Sequence, residues 1–139
     1  MTNDWLENFS QEILDKLDTY TKVKYPIYVP SKARSDLKLT TQALEDVGLH
    51  FYVVVEPQDA EDYLKQYPEN QIVVMEENDQ GIGYVRNACK KHAFSLGAKY
   101  HWQIDDNIKD FRIRENNKNV VRNTRNILAA AEHYVDKFD

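Results

Sequence analysis

A single cysteine, Cys89, is too few for an internal disulfide, so this fold does not depend on an oxidising compartment. Its place within an amphipathic pattern points to a buried structural thiol rather than a nucleophile. No apolar run approaches the length of a membrane span, and the opening MTNDWLENF lacks the basic-then-apolar order of a signal peptide. Basic side chains are outnumbered, 18 to 23, for a net charge of −5. No basic stripe stands out, so composition gives no support for strong binding to a phosphate backbone. His50, His92, His101 and His133 show neither HxH nor HExxH spacing, which argues against a zinc site. Internal repeats, low-complexity tracts and linkers are absent too. What remains is an ordinary globular balance, 42% hydrophobic and 29% charged over 139 residues, enough for one core.

The apolar pattern alternates between two periods. Trp5, Phe9, Ile13, Leu14 and Leu17 form a helical stripe over 4–18, behind Asn3 or Asp4 as cap. YPIYV (25–29) reads as a short buried strand that ends in the turn Pro30–Arg34. A helix over 37–47 follows, with Leu37, Leu44 and Val47 inward and Gly48 as its stop. HFYVVVE (50–56) is the clearest strand, and its near-continuous apolar character predicts burial on both faces. Ala60, Tyr63, Leu64 and Tyr67 mark the next helix, and QIVVM (71–75) the next strand. After the acidic loop 76–80, Gly81-Ile82-Gly83 opens a helix with Val85, Cys89 and Leu96 inward, stopped at Gly97. YHWQI (100–104) is the fourth strand and 111–114 a short fifth. The last helix has Val120, Val121, Thr124, Ile127, Leu128, Ala131, Tyr134, Val135 and Phe138 on one face. Such alternation predicts an α/β sandwich with a mainly parallel sheet.

In sheets of that kind, ligands bind outside the carboxyl ends of the strands. The polar clusters of this chain fall there. Pro30–Arg34, with a hydroxyl, backbone amides and two cations, follows the first strand. Glu56 ends the second, Glu76 and Glu77 follow the third, and Asp105, Asp106 and Asn107 end the fourth. Two adjacent carboxylates beside an amide at a buried strand end are a costly arrangement because the like charges repel, and a divalent cation such as Mg²⁺ or Mn²⁺ relieves that repulsion. Taken alone, a solvated Asp-Asp-Asn turn is the simpler reading; four polar placements along one edge favour a site. Gly81-x-Gly83 is not a dinucleotide fingerprint, because Arg86 stands at the third glycine position and the pair follows the third strand. It does let backbone approach a ligand at a helix start, with Arg86 one turn on to reach an anion. Strand geometry leaves open which two of Asp105, Asp106 and Asn107 converge, since neighbours on a strand point to opposite faces.

The blocks YPIYVPSKAR (25–34), HFYVVVE (50–56), GIGYVRNA (81–88) and YHWQIDDNI (100–108) together resemble the nucleotide-binding half of GT-A fold glycosyltransferases. More narrowly, IYVPSKAR with GIGYVRNACKKHA and HWQIDDNI resembles the TET-associated glycosyltransferases, phage and bacterial enzymes that glycosylate hydroxymethylated pyrimidines in DNA. The resemblance spans about 25–125. It implies a GT-A-like, Rossmann-like sandwich, with Pro30, Ser31 and Arg34 at the nucleotide diphosphate and Glu56 facing base or ribose. Arg86 and Asn87 would support the pocket. Asp105 would hold the ribose or a metal-bound water, and Asp106 would be the main ligand of Mn²⁺ or Mg²⁺ in a DxD-type motif. Asn107, the third member of the metal set, departs from the all-carboxylate pattern.

The expected division is an N-terminal helix at 1–24 and a nucleotide-sugar-binding domain at 25–139. The expected function is metal-dependent transfer of a sugar from a nucleotide-diphosphosugar, a UDP-sugar first among donors, to hydroxymethylated pyrimidines in DNA. The setting would be the cytoplasm of a bacterial or phage-infected cell, away from membranes. No catalytic residue is assigned; a partner subunit or a C-terminal half would carry the acceptor pocket. The rival is a non-catalytic nucleotide-binding module that works with a partner. A sugar nucleotidyltransferase, a third reading, would show a glycine-rich loop after the first strand, and Pro30–Arg34 has no glycine.

Overall fold

The computed structural model describes residues 15–115 and 117–137. Contacts divide the chain into two units, Tyr25–Lys109 and a second made of Met1–Lys24 with Asp110–Asp139. The division read from sequence, 1–24 and 25–139, has no counterpart to the break at 109/110. Most of the helix expected over 4–18 lies outside the described residues. Its end forms a 3₁₀ turn at Leu17–Thr19.

The larger unit is a Rossmann-like α/β fold. Strands β1 (Ile27–Pro30), β2 (Tyr52–Val55), β3 (Ile72–Val74) and β4 (Trp102–Gln103) form one all-parallel sheet in the order β3-β2-β1-β4. Helices α1 (Leu39–Asp46) and α2 (Ala60–Leu64) connect the first three strands, and α3 (Ile82–Ser95) returns the chain to the far side of β1. The order therefore reverses between β1 and β4, and a crevice opens at such a reversal.

Side-chain parity assigns the two faces. Tyr28 pairs in register with Tyr52 and Gln103, and Pro30 with Val54, so these point to one face. There Tyr28, Val54 and Met75 pack with Cys89 and Ala93 of α3. Cys89 is fully buried, and burial pushes its thiol up to about 11, in keeping with a structural role. On the opposite face Phe51 meets Tyr67 edge-on, with ring centroids 6.2 Å apart. That face is completed by two polar contacts, Thr41 Oγ1 with the Tyr67 hydroxyl at 2.8 Å and Ser31 Oγ with the Tyr63 hydroxyl at 2.5 Å.

Three expectations change. The buried face of α1 is Thr40, Thr41 and Leu44, while Leu37 and Val47 are half-buried. The threonines tolerate burial because each hydroxyl is hydrogen-bonded. Leu96, expected inward, is half exposed because α3 ends at Ser95 and Gly97 (φ +73°) turns the chain away. Val120 and Val121 belong to a strand, not to the last helix.

In the smaller unit, β5 (Arg112–Glu115) pairs antiparallel with β6 (Lys118–Val121), and Asn117 takes the left-handed conformation that hairpin turns need. Asn123 Oδ1 then accepts the Asn126 N–H and caps α4 (Thr124–Lys137). Glu132, buried on α4, accepts the backbone N–H of Lys24 at 2.8 Å.

Candidate functional site

A cleft of about 320 Å³ lies at the carboxyl edge of the parallel sheet, within the size range of small-molecule sites. Apolar Val54, Met75, Ile82 and Val85 form part of its wall, and Lys32, Arg34, Arg86, Glu56 and Asp105 bring charge to it. Of the residues singled out from sequence, Pro30, Ser31, Arg34, Glu56, Arg86 and Asp105 line this cleft, although 75 positions separate the first from the last. Asn87 and Asn107 are exposed and are not among its lining. Asp106 lies beneath it.

Parity explains how the two aspartates part. Asp105 continues the alternation of Gln103 and faces the cleft. Asp106 continues that of Ile104 and faces the other side of the sheet, where it is 4% exposed. There its carboxylate accepts from Ser31 Oγ at 2.7 Å and pairs with Arg34 Nη2 at 3.0 Å. The Tyr63 hydroxyl completes the knot by accepting the backbone N–H of Arg34 at 3.1 Å. Burial raises the pKa of this phenol, which therefore stays protonated. Asp106 thus fixes the Pro30–Arg34 turn, where Ala33 sits at φ +52°. Thr40 clamps the other half: Oγ1 donates to the Asp105 carbonyl and accepts the Ile108 N–H at 2.8 Å.

Glu56 anchors the loop after β3. Its Oε2 accepts the backbone N–H of Asp79, and Lys32 Nζ bridges Glu56 Oε1 at 3.2 Å and Asp79 Oδ1 at 2.6 Å. The Asp79 N–H is the main cause that holds the Glu56 carboxyl below its ordinary range, with Lys32 adding to it. Lys32 likewise lowers Asp79, and the two carboxylates raise Lys32. Glu56 therefore enters the cleft as a fixed, ionised acceptor.

Two features of α3 complete the wall. Gly81 precedes its first turn at φ +87°, ψ 177°, a conformation open essentially to glycine alone. The first turn and Arg86 then border the cleft together, an arrangement suited to an anion. Gln103 Nε2 donates to the Arg86 carbonyl at 3.3 Å and ties β4 to the helix. Gln103, Lys32 and Met75 were not assigned to the site from sequence. Period-two spacing from Asp105 would have found Gln103, and from Val73 would have found Met75. Lys32 stood within the flagged turn.

Among the described residues no group of three or more His, Cys, Asp or Glu is placed to hold a metal. Among those same residues Asp105 alone presents a cleft carboxylate with no protein partner, whereas Asp106 is engaged by Ser31 and Arg34. That donor set fits an ion which takes its remaining ligands from a diphosphate and water, as Mg²⁺ commonly does. It does not fit an all-protein cage.

Residues 25–139 match the family model described as TET-Associated Glycosyltransferase. No curated protein and no solved structure matches the chain.

Proposed function

The chain belongs to the TET-associated glycosyltransferase family, and from that membership we propose that its cleft binds a nucleotide-diphosphosugar, a UDP-sugar foremost, for transfer to a hydroxymethylated pyrimidine in DNA. One observation carries the donor part of this reading. At the crevice where the strand order reverses, an apolar wall, two arginines and one carboxylate without a partner among the described residues face a single cleft. Ile82 and Val85, with the edge of Met75, offer a surface for the flat base. Arg34 and Arg86, with the amides that open α3, complement a diphosphate. Glu56, held ionised, is an acceptor for ribose or base donors.

Mn²⁺ or Mg²⁺ in this site would neutralise charge on the departing diphosphate. Asp105 is the residue we assign to hold it. Asp106 acts through Arg34 and Ser31, keeping the phosphate-facing turn in place.

Calorimetry with UDP tests the donor site. Binding should strengthen with Mn²⁺, while Mn²⁺ alone should bind weakly because, among the described residues, the cleft offers it one free carboxylate. Equal affinity with and without the ion would count against the assignment. A transfer assay with labelled UDP-sugar should then separate hydroxymethylated from unmodified DNA. Equal labelling of both would remove the base from the proposal.

A further inference from the structure

Charge is segregated along this chain. Residues 81–104 hold Arg86, Lys90, Lys91 and Lys99 and no Asp or Glu, so all 23 carboxylate side chains lie outside that segment. Most of it is α3, whose inner face of Cys89 and Ala93 packs on the sheet. Arg86, Asn87, Lys90, Lys91 and Phe94 recur at three- and four-residue spacing, and all are exposed. Phe94 is 83% exposed, the most open large apolar side chain among the described residues. Arg86, Lys90 and Lys91 have no carboxylate partner among the described residues. Lys24, Lys32, Arg34, Lys65 and Arg112 all do.

We infer that the outer face of α3 is a docking track for a nucleic-acid strand, with Arg86, Lys90 and Lys91 on its phosphates and Phe94 as a stacking platform for a base. Three observations point to this occupant. The cations lack carboxylate partners among the described residues, so a polyanion meets no such competitor there. An exposed ring set among cations is how single strands are gripped, by phosphate neutralisation and ring stacking together. The track also starts at the cleft, because Arg86 belongs to both. From Arg86 to Phe94 it runs eight residues, about 12 Å along the helix axis, the length of a few nucleotides. A strand held there has its neighbouring base at the mouth of the cleft. The inference rests on the proposed function for what enters the cleft, but not for the strand's grip on the helix.

The test is fluorescence anisotropy with a labelled single-stranded DNA of mixed sequence, titrated at several salt concentrations, beside calorimetry with UDP and Mn²⁺. The Lys90→Glu/Lys91→Glu variant should bind the strand at least tenfold more weakly. Its log-affinity against log-salt slope should be shallower by roughly 1.4, about 0.7 for each phosphate no longer neutralised. Phe94→Ala should weaken binding roughly 5- to 150-fold with the slope unchanged. Both variants should retain wild-type UDP affinity, since neither touches the donor cleft. The inference is overturned if the wild-type chain does not bind the strand, or if the double variant keeps both affinity and slope. It is also overturned if polyglutamate at equal charge displaces the strand as well as unlabelled DNA does, which would assign the face to an acidic protein. Failure to bind UDP while DNA binding persists strikes the donor reading instead.

Discussion

Asp105 and Asp106 are adjacent, chemically identical and assigned opposite duties, so exchanging each for asparagine should separate binding from stability. Asp106 is buried, with Ser31 Oγ at 2.7 Å and Arg34 Nη2 at 3.0 Å. A hydrogen bond to a buried charged group contributes about 1.5–3 kcal/mol net. Because Arg34 is half exposed, its ion pair adds only about 0.2–1 kcal/mol. Asp106→Ala should therefore cost about 2–4 kcal/mol. Asp106→Asn, which keeps an acceptor for Ser31 and loses the charge, should cost about 1–2 kcal/mol. With a urea dependence of about 1–3 kcal/mol per molar, the alanine variant's midpoint falls by roughly 0.7–4 M. Asp105→Asn, exposed and without a side-chain partner among the described residues, should stay within about 0.5 kcal/mol of wild type.

In calorimetry the order reverses. The informative quantity is the ratio of UDP affinities with and without Mn²⁺. Asp105→Asn should bring that ratio close to one. Asp106→Asn should lower both affinities together, because a loosened Pro30–Arg34 turn misplaces Arg34 for the phosphates whether or not an ion is bound. If Asp105→Asn destabilises the fold as much as Asp106→Ala, or if Asp106→Asn abolishes the metal effect while Asp105→Asn preserves it, the division of labour is wrong.

The loop after β3 should respond to acid. Glu56 and Asp79 titrate below their ordinary values in the folded chain, so their contribution is full above the unfolded values near 4 and is lost as pH falls through the lower folded ones. Hydrogen exchange at the Asp79 amide, corrected for intrinsic rate, should be constant near neutrality and accelerate in acid; Glu56→Gln should abolish that dependence, and an unchanged profile would detach Glu56 from the loop. Lys32, raised by the same partners, should keep its bridge until pH rises past the ordinary lysine value. The two glycines of Gly81-Ile82-Gly83 should differ sharply in thermal melts: Gly81→Ala costs about 1–3 kcal/mol through its backbone conformation, whereas Gly83→Ala, with nothing within 4 Å of the added methyl, should be neutral or stabilising by up to about 1 kcal/mol.

The parallel sheet was legible because its strands are short apolar runs punctuated by helical stripes, and burial on both faces leaves few other arrangements. The hairpin was not. Val120 and Val121 fit a helical face as well as a strand, and only the Asn123 cap and the turn at Asn117 decide between them. The face of α1 misled for a different reason. Hydropathy ranks Leu37 and Val47 above threonine, yet Thr40 and Thr41 are the ones buried, because their hydroxyls serve the Asp105 turn and Tyr67. The charge of α3 was hidden by averaging. A net −5 describes the chain as a whole, and Arg86, Lys90 and Lys91 of α3 resolve into a track only when the inner face of the helix is known.

The site shows most clearly where reading a sequence stops. That Asp105, Asp106 and Asn107 terminate a strand could be read directly, but their separate roles depend on how far the strand's alternation persists past Gln103. In the folded chain it persists through Asp106, because the Ile104 N–H still bonds to the Tyr28 carbonyl and Thr40 grips the Asp105 carbonyl. Odd and even positions therefore stay on opposite faces for two residues beyond Ile104. One carboxylate is delivered to the cleft and the next to the Ser31 hydroxyl below it. A motif written as a run of acids suggests shared ligation. The pleat converts it into one residue that faces the cleft and one that holds the turn beside it.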